Sequence, residues 1–193
     1  LLSNDTEIGV TLYRDPDTAQ RLDTLARLED ALLAQLREAA PDADQEGWQL
    51  LDVRRLCDAL RRDTQTDLDP QQLARLLKSF AEPFGEGTAQ RGLFALRPGG
   101  IDHRQIRLLR SWQEIDHIRA RRMRLARALV GAFTGMRQGN ALLVTCKQGA
   151  LEAALQSDMT LADLGITQWD VALPAALLHL DTNEVLHLAR GKA

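Results

Sequence analysis

One order of elements occurs twice along this chain and limits what it can fold into: a long helical segment, a short extended run, two further helical or turn segments, then an extended run. In the first occurrence, Leu22, Leu25, Leu28, Leu32, Leu33 and Leu36 recur at helical spacing between Pro16 and Pro41. Asp15 is read as the cap of that helix, with Pro16 at its first position. Trp48, Gln49, Leu50 and Leu51 form the short extended run. Residues 52–62 follow as a second helix with Val53, Leu56, Cys57 and Leu60 on one face. Asp69 and Pro70 start a third, carrying Leu73, Leu76, Leu77 and Phe80. Two extended runs, 93–97 and 101–109, flank Pro98, Gly99 and Gly100 and read as a hairpin.

The second occurrence starts at Ser111, read as the cap of a long helix reaching about Met136. Residues 141–145 form its short strand, 147–156 a short helix and 160–163 a turn. Thr167 is read as the cap of a helix ending near Leu180, and 184–188 as the first strand of another hairpin. This order is that of a winged helix. The expected class is therefore mainly α with short β-hairpins (α+β), as tandem winged-helix or helix-turn-helix units. The expected divisions are 15–109 for the first unit and 110–193 for the second, whose wing is truncated. Residues 8–14 alternate like a half-buried strand, and 1–14 are read as the tail of a preceding wing.

Composition supports a folded chain, because 45% of its residues are hydrophobic and most of these are aliphatic. No run approaches the roughly 18 apolar residues that span a bilayer, and the N-terminal residues lack a signal-peptide pattern, so no membrane partner is expected. Cys57 and Cys146 stand alone and far apart. They indicate neither a disulfide framework nor a zinc knuckle, and with them a reducing, cytoplasmic setting is expected. The first residue is Leu, and Gly191, Lys192 and Ala193 break off just after a strand-like run, so a piece of a longer protein is expected.

The net charge of −3 conceals an uneven distribution. Residues 1–96 carry −7, residues 97–127 carry +6 with every basic residue an Arg, and residues 128–193 carry −2. A basic stretch inside an acidic chain is a candidate track for a nucleic-acid backbone. Arg104 and Arg107 fall on the hairpin's return strand, while Arg119, Arg121, Arg122, Arg124 and Arg127 fall on the long helix. Periodicity turns Ile115, Ile118 and Leu125 inward and most of those guanidinium groups outward. An ordinary solvated face, paired with the acidic first half through salt bridges, is the alternative.

In a helix-turn-helix unit the second helix of the pair enters the major groove. Here that helix starts at Pro70, and its Gln71, Gln72, Arg75 and Lys78 are side chains able to bond bases and phosphates. An ordinary polar helix face explains them equally. The equivalent helix of the second unit has Asp170 as its one charged residue and many apolar ones, which suits packing better than groove reading.

Catalytic motifs are absent from the sequence. There is no phosphate-binding loop and no GxSxG, and His103, His117, His179 and His187 show no metal-ligand spacing. Each histidine is read as a surface or partly packed residue, and no cofactor is expected on these residues.

The segments 1–12, 108–112 and 176–188 resemble the region that follows the motor core in large bacterial RecQ-type ATP-dependent DNA helicases. The resemblance implies a non-catalytic accessory segment of winged-helix type. It also implies DNA as a partner, contact with the motor domains of the same parent chain, and ATP with Mg²⁺ bound elsewhere in that parent. The zinc-binding cysteine cluster of shorter RecQ proteins has no counterpart in this sequence. The rival expectation is a scaffold that packs on the motor without touching DNA.

Overall fold

The computed structural model describes residues 6–83 and 92–189. The resemblance carried by Leu1 to Asp5 and the break read at Gly191, Lys192 and Ala193 lie outside the described residues. What is described is mainly helical with two small antiparallel sheets, an α+β arrangement.

Strand β1 (Glu7–Thr11) leads to helix α1 (Asp17–Ala39). The leucine stripe of α1 is buried at Leu22, Leu25, Leu32, Leu33 and Leu36, as its spacing requires. The expected Asp15 cap does not form, because the helix starts one residue later with Pro16 at the N-cap and no side-chain cap bond. The Asp15 carboxylate instead meets Arg137 at 3.0 Å, and the Thr18 hydroxyl accepts the Tyr13 N–H at 2.9 Å.

Strand β2 (Trp48–Asp52) runs directly into α2 (Val53–Thr64), where the Asp52 carboxylate accepts from the Arg54 and Arg55 N–H groups. Helix α3 (Pro70–Ala81) opens with a complete capping box: Asp69 accepts the Gln72 N–H, and the Gln72 side-chain oxygen accepts the Asp69 N–H, each at 2.8 Å. Strands β3 (Phe94–Pro98) and β4 (His103–Leu108) form the hairpin. Its tip uses Gly100 at φ +109°, a backbone conformation open to glycine. The sheet order is β2-β4-β3, with Trp48 opposite Arg107 and Leu50 opposite Gln105.

Helix α4 (Trp112–Met136) is capped by the Ser111 hydroxyl, which accepts the Glu114 N–H. Strand β5 (Leu143–Lys147), α5 (Gln148–Gln156), a 3₁₀ turn (Met159–Leu164), α6 (Trp169–Thr182) and β6 (His187–Leu188) complete the chain. Thr167 does not cap α6, whose N-cap is Gln168 without a side-chain bond, and Pro174 lies inside the helix.

The second sheet joins strands from both ends of the described chain. Its order is β5-β1-β6, so β1 stands in the middle, paired from Glu7↔Lys147 to Thr11↔Leu143 on one side and at Thr11↔His187 on the other. Residues 7–11, which the sequence assigned to the tail of a preceding unit, are paired here with β5 and β6 of this chain. Ile8, Val10 and Leu12 face the core, which is the reason the strand docks here. The halves on either side of residue 109 share one continuous apolar core, from Leu32, Leu60 and Phe80 to Phe133, Leu151 and Leu173.

At the end of α6 the Glu184 N–H bonds to the Asp181 carbonyl and the Val185 N–H to the Leu180 carbonyl, a Schellman closure with Val185 and Leu180 fully buried. Glu184 holds φ +57°, where glycine is the usual occupant. Among the described residues no helix is long and apolar enough to cross a membrane.

Candidate nucleic-acid interface

The arginines of α4 are not the exposed row that periodicity suggested. Arg119 and Arg122 point into the contact between α1, α3, α4 and α6. Arg119 Nε donates to Glu29 at 2.9 Å, a second of its nitrogens reaches Asp30, and a third reaches the Ala26 carbonyl at 2.8 Å. Arg122 donates to Glu29 at 3.2 Å and to the Ser79 carbonyl of α3 at 2.8 Å. His179 of α6 closes the group, its Nε2 lying 2.7 Å from the same Glu29 carboxylate. The expectation that His179 lies at the surface or is partly packed is thus corrected, since its side chain is fully buried.

Glu29 is ionised in this setting. Burial alone raises its carboxyl, but the His179 contact and the Arg122 and Arg119 guanidinium groups outweigh it and hold the pKa at about 2. Arg122 is pulled down to about 10 by burial, against the attraction of Glu29. Burial and the neighbouring Arg122 charge push His179 below its ordinary value, so its Nε2–H donates to Glu29 in the neutral ring.

The remaining arginines of α4 bind the fold at its surface. Arg124 pairs with Asp163 at 2.7 Å and also reaches the Thr160 carbonyl. Arg127 pairs with Asp23 at 2.7 Å, and Arg121 donates to the Leu164 carbonyl. Pairing with the acidic first half, the alternative left open by the sequence, is what Arg119, Arg122 and Arg127 do.

Helix α3 has two polar sides with different surroundings. Gln71 and Lys78 are exposed, with Lys78 3.9 Å from Glu82. Gln72 and Arg75 face a cleft of about 420 Å³ that also includes Asp17, Arg21, Asp67 and Glu184. The Gln72 oxygen is committed to the capping box, and Arg75 lies 3.5 Å from Glu184. Arg104 turns inward beside Val53, Ala74 and Leu77, donating to the His103 carbonyl.

The outer face of the first sheet is different in kind. In register across β2, β4 and β3 it carries Trp48 with Arg107, then Leu50 with Gln105 and Arg97. The Arg97 guanidinium lies 3.7 Å from the Trp48 ring centroid and that of Arg107 5.2 Å. Arg97 Nε donates to the Gln105 side-chain oxygen at 2.7 Å. Among the described residues no carboxylate forms an ion pair with Arg97 or Arg107. Leu50 is 58% exposed on this face and Ile101 90% exposed at the hairpin tip.

Of the nine residues predicted to contact DNA, the structure leaves Gln71, Lys78 and Arg107 open to solvent. It buries Arg122, largely buries Arg119, and ties Gln72, Arg75, Arg104 and Arg124 to protein partners. Sequence reasoning missed Trp48, because only the β2–β4 register sets it beside Arg107. It also missed Glu29, for which a signal existed: an acid at an apolar position of the α1 leucine stripe. Arg122 and His179 carry the same mark on α4 and α6.

No group of His, Cys, Asp and Glu side chains among the described residues is placed to hold a metal ion. No family model, curated protein or solved structure matches the chain.

Proposed function

We propose that this chain is a non-catalytic, DNA-contacting accessory segment built from two winged-helix units and serving an ATP-dependent DNA helicase of the RecQ type. The observation that carries the reading is the outer face of β2-β4-β3, where Trp48 lies against two exposed guanidinium groups that pair with no carboxylate among the described residues. Cationic groups beside a half-buried ring suit a phosphate backbone and its sugars. The strand orders β2-β4-β3 and β5-β1-β6 support the winged-helix assignment, each placing the return-strand position in the middle. ATP and Mg²⁺ belong, in this reading, to the motor of the parent chain.

A second reading has its own observation. The solvent side of α6 presents Val171 and Leu178, 40% and 42% exposed, with Pro174 and Ala175 between them. That stripe suits a protein partner and favours a scaffold that packs on the motor.

Binding of the chain to duplex, forked and single-stranded DNA across about 50 to 200 mM salt tests the two. Affinity that falls steeply with salt and drops in the Arg97→Ala/Arg107→Ala variant supports DNA contact. No binding to any of the three at the lowest salt rejects it in favour of the scaffold.

A further inference from the structure

The cleft between α3 and the α6–β6 turn contains a contact that neither the fold nor the outer sheet face requires. Gln72 and Arg75, two of the four α3 residues expected to contact DNA, line it together with Glu184. Arg75 lies 3.5 Å from the Glu184 carboxylate, and Arg21 donates to the Glu184 carbonyl at 3.2 Å. The other charged groups facing the cleft are Asp17 and Asp67, so three carboxylates oppose two guanidinium groups. A polyanion approaching α3 meets net negative charge, and the carboxylate that engages Arg75 is that of Glu184.

The backbone gives an independent reason to single out this residue. Glu184 occupies the left-handed position of a Schellman closure, where a side chain of its kind costs stability and glycine does not. A residue kept in a disfavoured conformation points to a use for its side chain. The flanking Val185 and Leu186 are fully buried, so the turn is fixed and only the Glu184 side chain is free to leave Arg75.

Resting on the DNA-contacting reading, we propose that Glu184 is an internal competitor for nucleic acid on α3. Its carboxylate occupies, on Arg75, the place a phosphate oxygen would take, and α3 joins the interface when that pair opens.

The test is a double-mutant cycle on the whole chain, read as Kd for a duplex oligonucleotide at low salt. Glu184→Gln should tighten binding by up to about fivefold, the upper range for one partly exposed ion pair. Arg75→Ala should remove that gain. Asp170→Asn changes the net charge equally at the opposite end of α6, roughly 20 Å away by helical rise, and should produce little of it. Glu184→Gly, which suits the left-handed backbone, is the second variant and should tighten binding while raising the melting temperature. Equal effects of Glu184→Gln and Asp170→Asn, or a gain that survives Arg75→Ala, overturn the proposal while DNA contact stands. Absence of DNA binding by the parent chain and by every variant overturns both.

Discussion

The Glu29 carboxylate accepts a hydrogen bond from His179 Nε2 at 2.7 Å, joining the middle of α1 to the last turn of α6. With Arg119 and Arg122 on the same carboxylate, one acid ties the two halves of the chain together. Glu29→Ala leaves two guanidinium groups facing each other in the core. It should cost about 3–5 kcal/mol, the range for breaking a buried ion pair from one side. Urea unfolding checks this, and a loss below about 1 kcal/mol would show that solvent already reaches the group.

Acid should weaken the same junction in two stages. His179 titrates lower in the fold than its ordinary 6.5, so stability starts to fall as pH drops below about 6.5, where the unfolded chain takes the proton more readily. Glu29, at about 2 against 4.5, contributes stability that is complete above 4.5 and lost as pH falls towards 2. The melting temperature should be level above pH 7, decline below 6.5 and fall more steeply below 4.5. A His179→Gln chain should lack the first decline, and a wild-type curve level down to pH 4.5 would contradict the assignment.

Changing α4 arginines should act on folding and not on nucleic-acid contact. Arg122→Ala strands the Ser79 carbonyl and removes one of the three partners of Glu29, and about 3 kcal/mol of stability should be lost. Arg124→Ala, at an exposed pair with Asp163, should leave the melting temperature nearly unchanged. DNA affinity of either variant, measured where it is folded, should match the parent within about twofold. Arg97→Ala and Arg107→Ala should instead leave stability intact and each lower the salt slope by roughly 1.

Gly92 is required by a close approach. A Cβ there would lie 2.3 Å from the Ala81 carbonyl oxygen, where the Leu93 N–H bonds to the Phe80 carbonyl and starts the hairpin on the end of α3. Gly92→Ala should destabilise by about 1–3 kcal/mol through displaced backbone, seen as a lower urea midpoint at an unchanged slope. An unchanged midpoint would mean that the hairpin re-seats without strain.

Local chemistry made much of the fold readable. The Asp69, Pro70 and Gln72 start of α3, the Ser111 cap and the leucine spacing of α1 each depend on neighbours within a few positions. Failures came where a residue's partner is remote. Asp15 could cap α1 by its position, yet Arg137 holds it from the far end of α4. Arg119 and Arg122 were placed in solvent with the other guanidinium groups of α4, because their carboxylate partner Glu29 lies on α1, about 90 positions away in sequence. The Trp48 and Arg107 pair depends on a strand register that two intervening helices hide from any local pattern.

The central place of β1 has a consequence for how the chain is made. Its partners, β5 and β6, leave the ribosome long after it does, with α1 to α4 in between. At roughly 5–20 residues per second, Ile8, Val10 and Leu12 spend on the order of ten seconds as an unpaired apolar edge before β5 arrives. During that interval the apolar side chains of β1 have no strand to pair with, and α1 to α4 are made before the middle strand of the second sheet can dock.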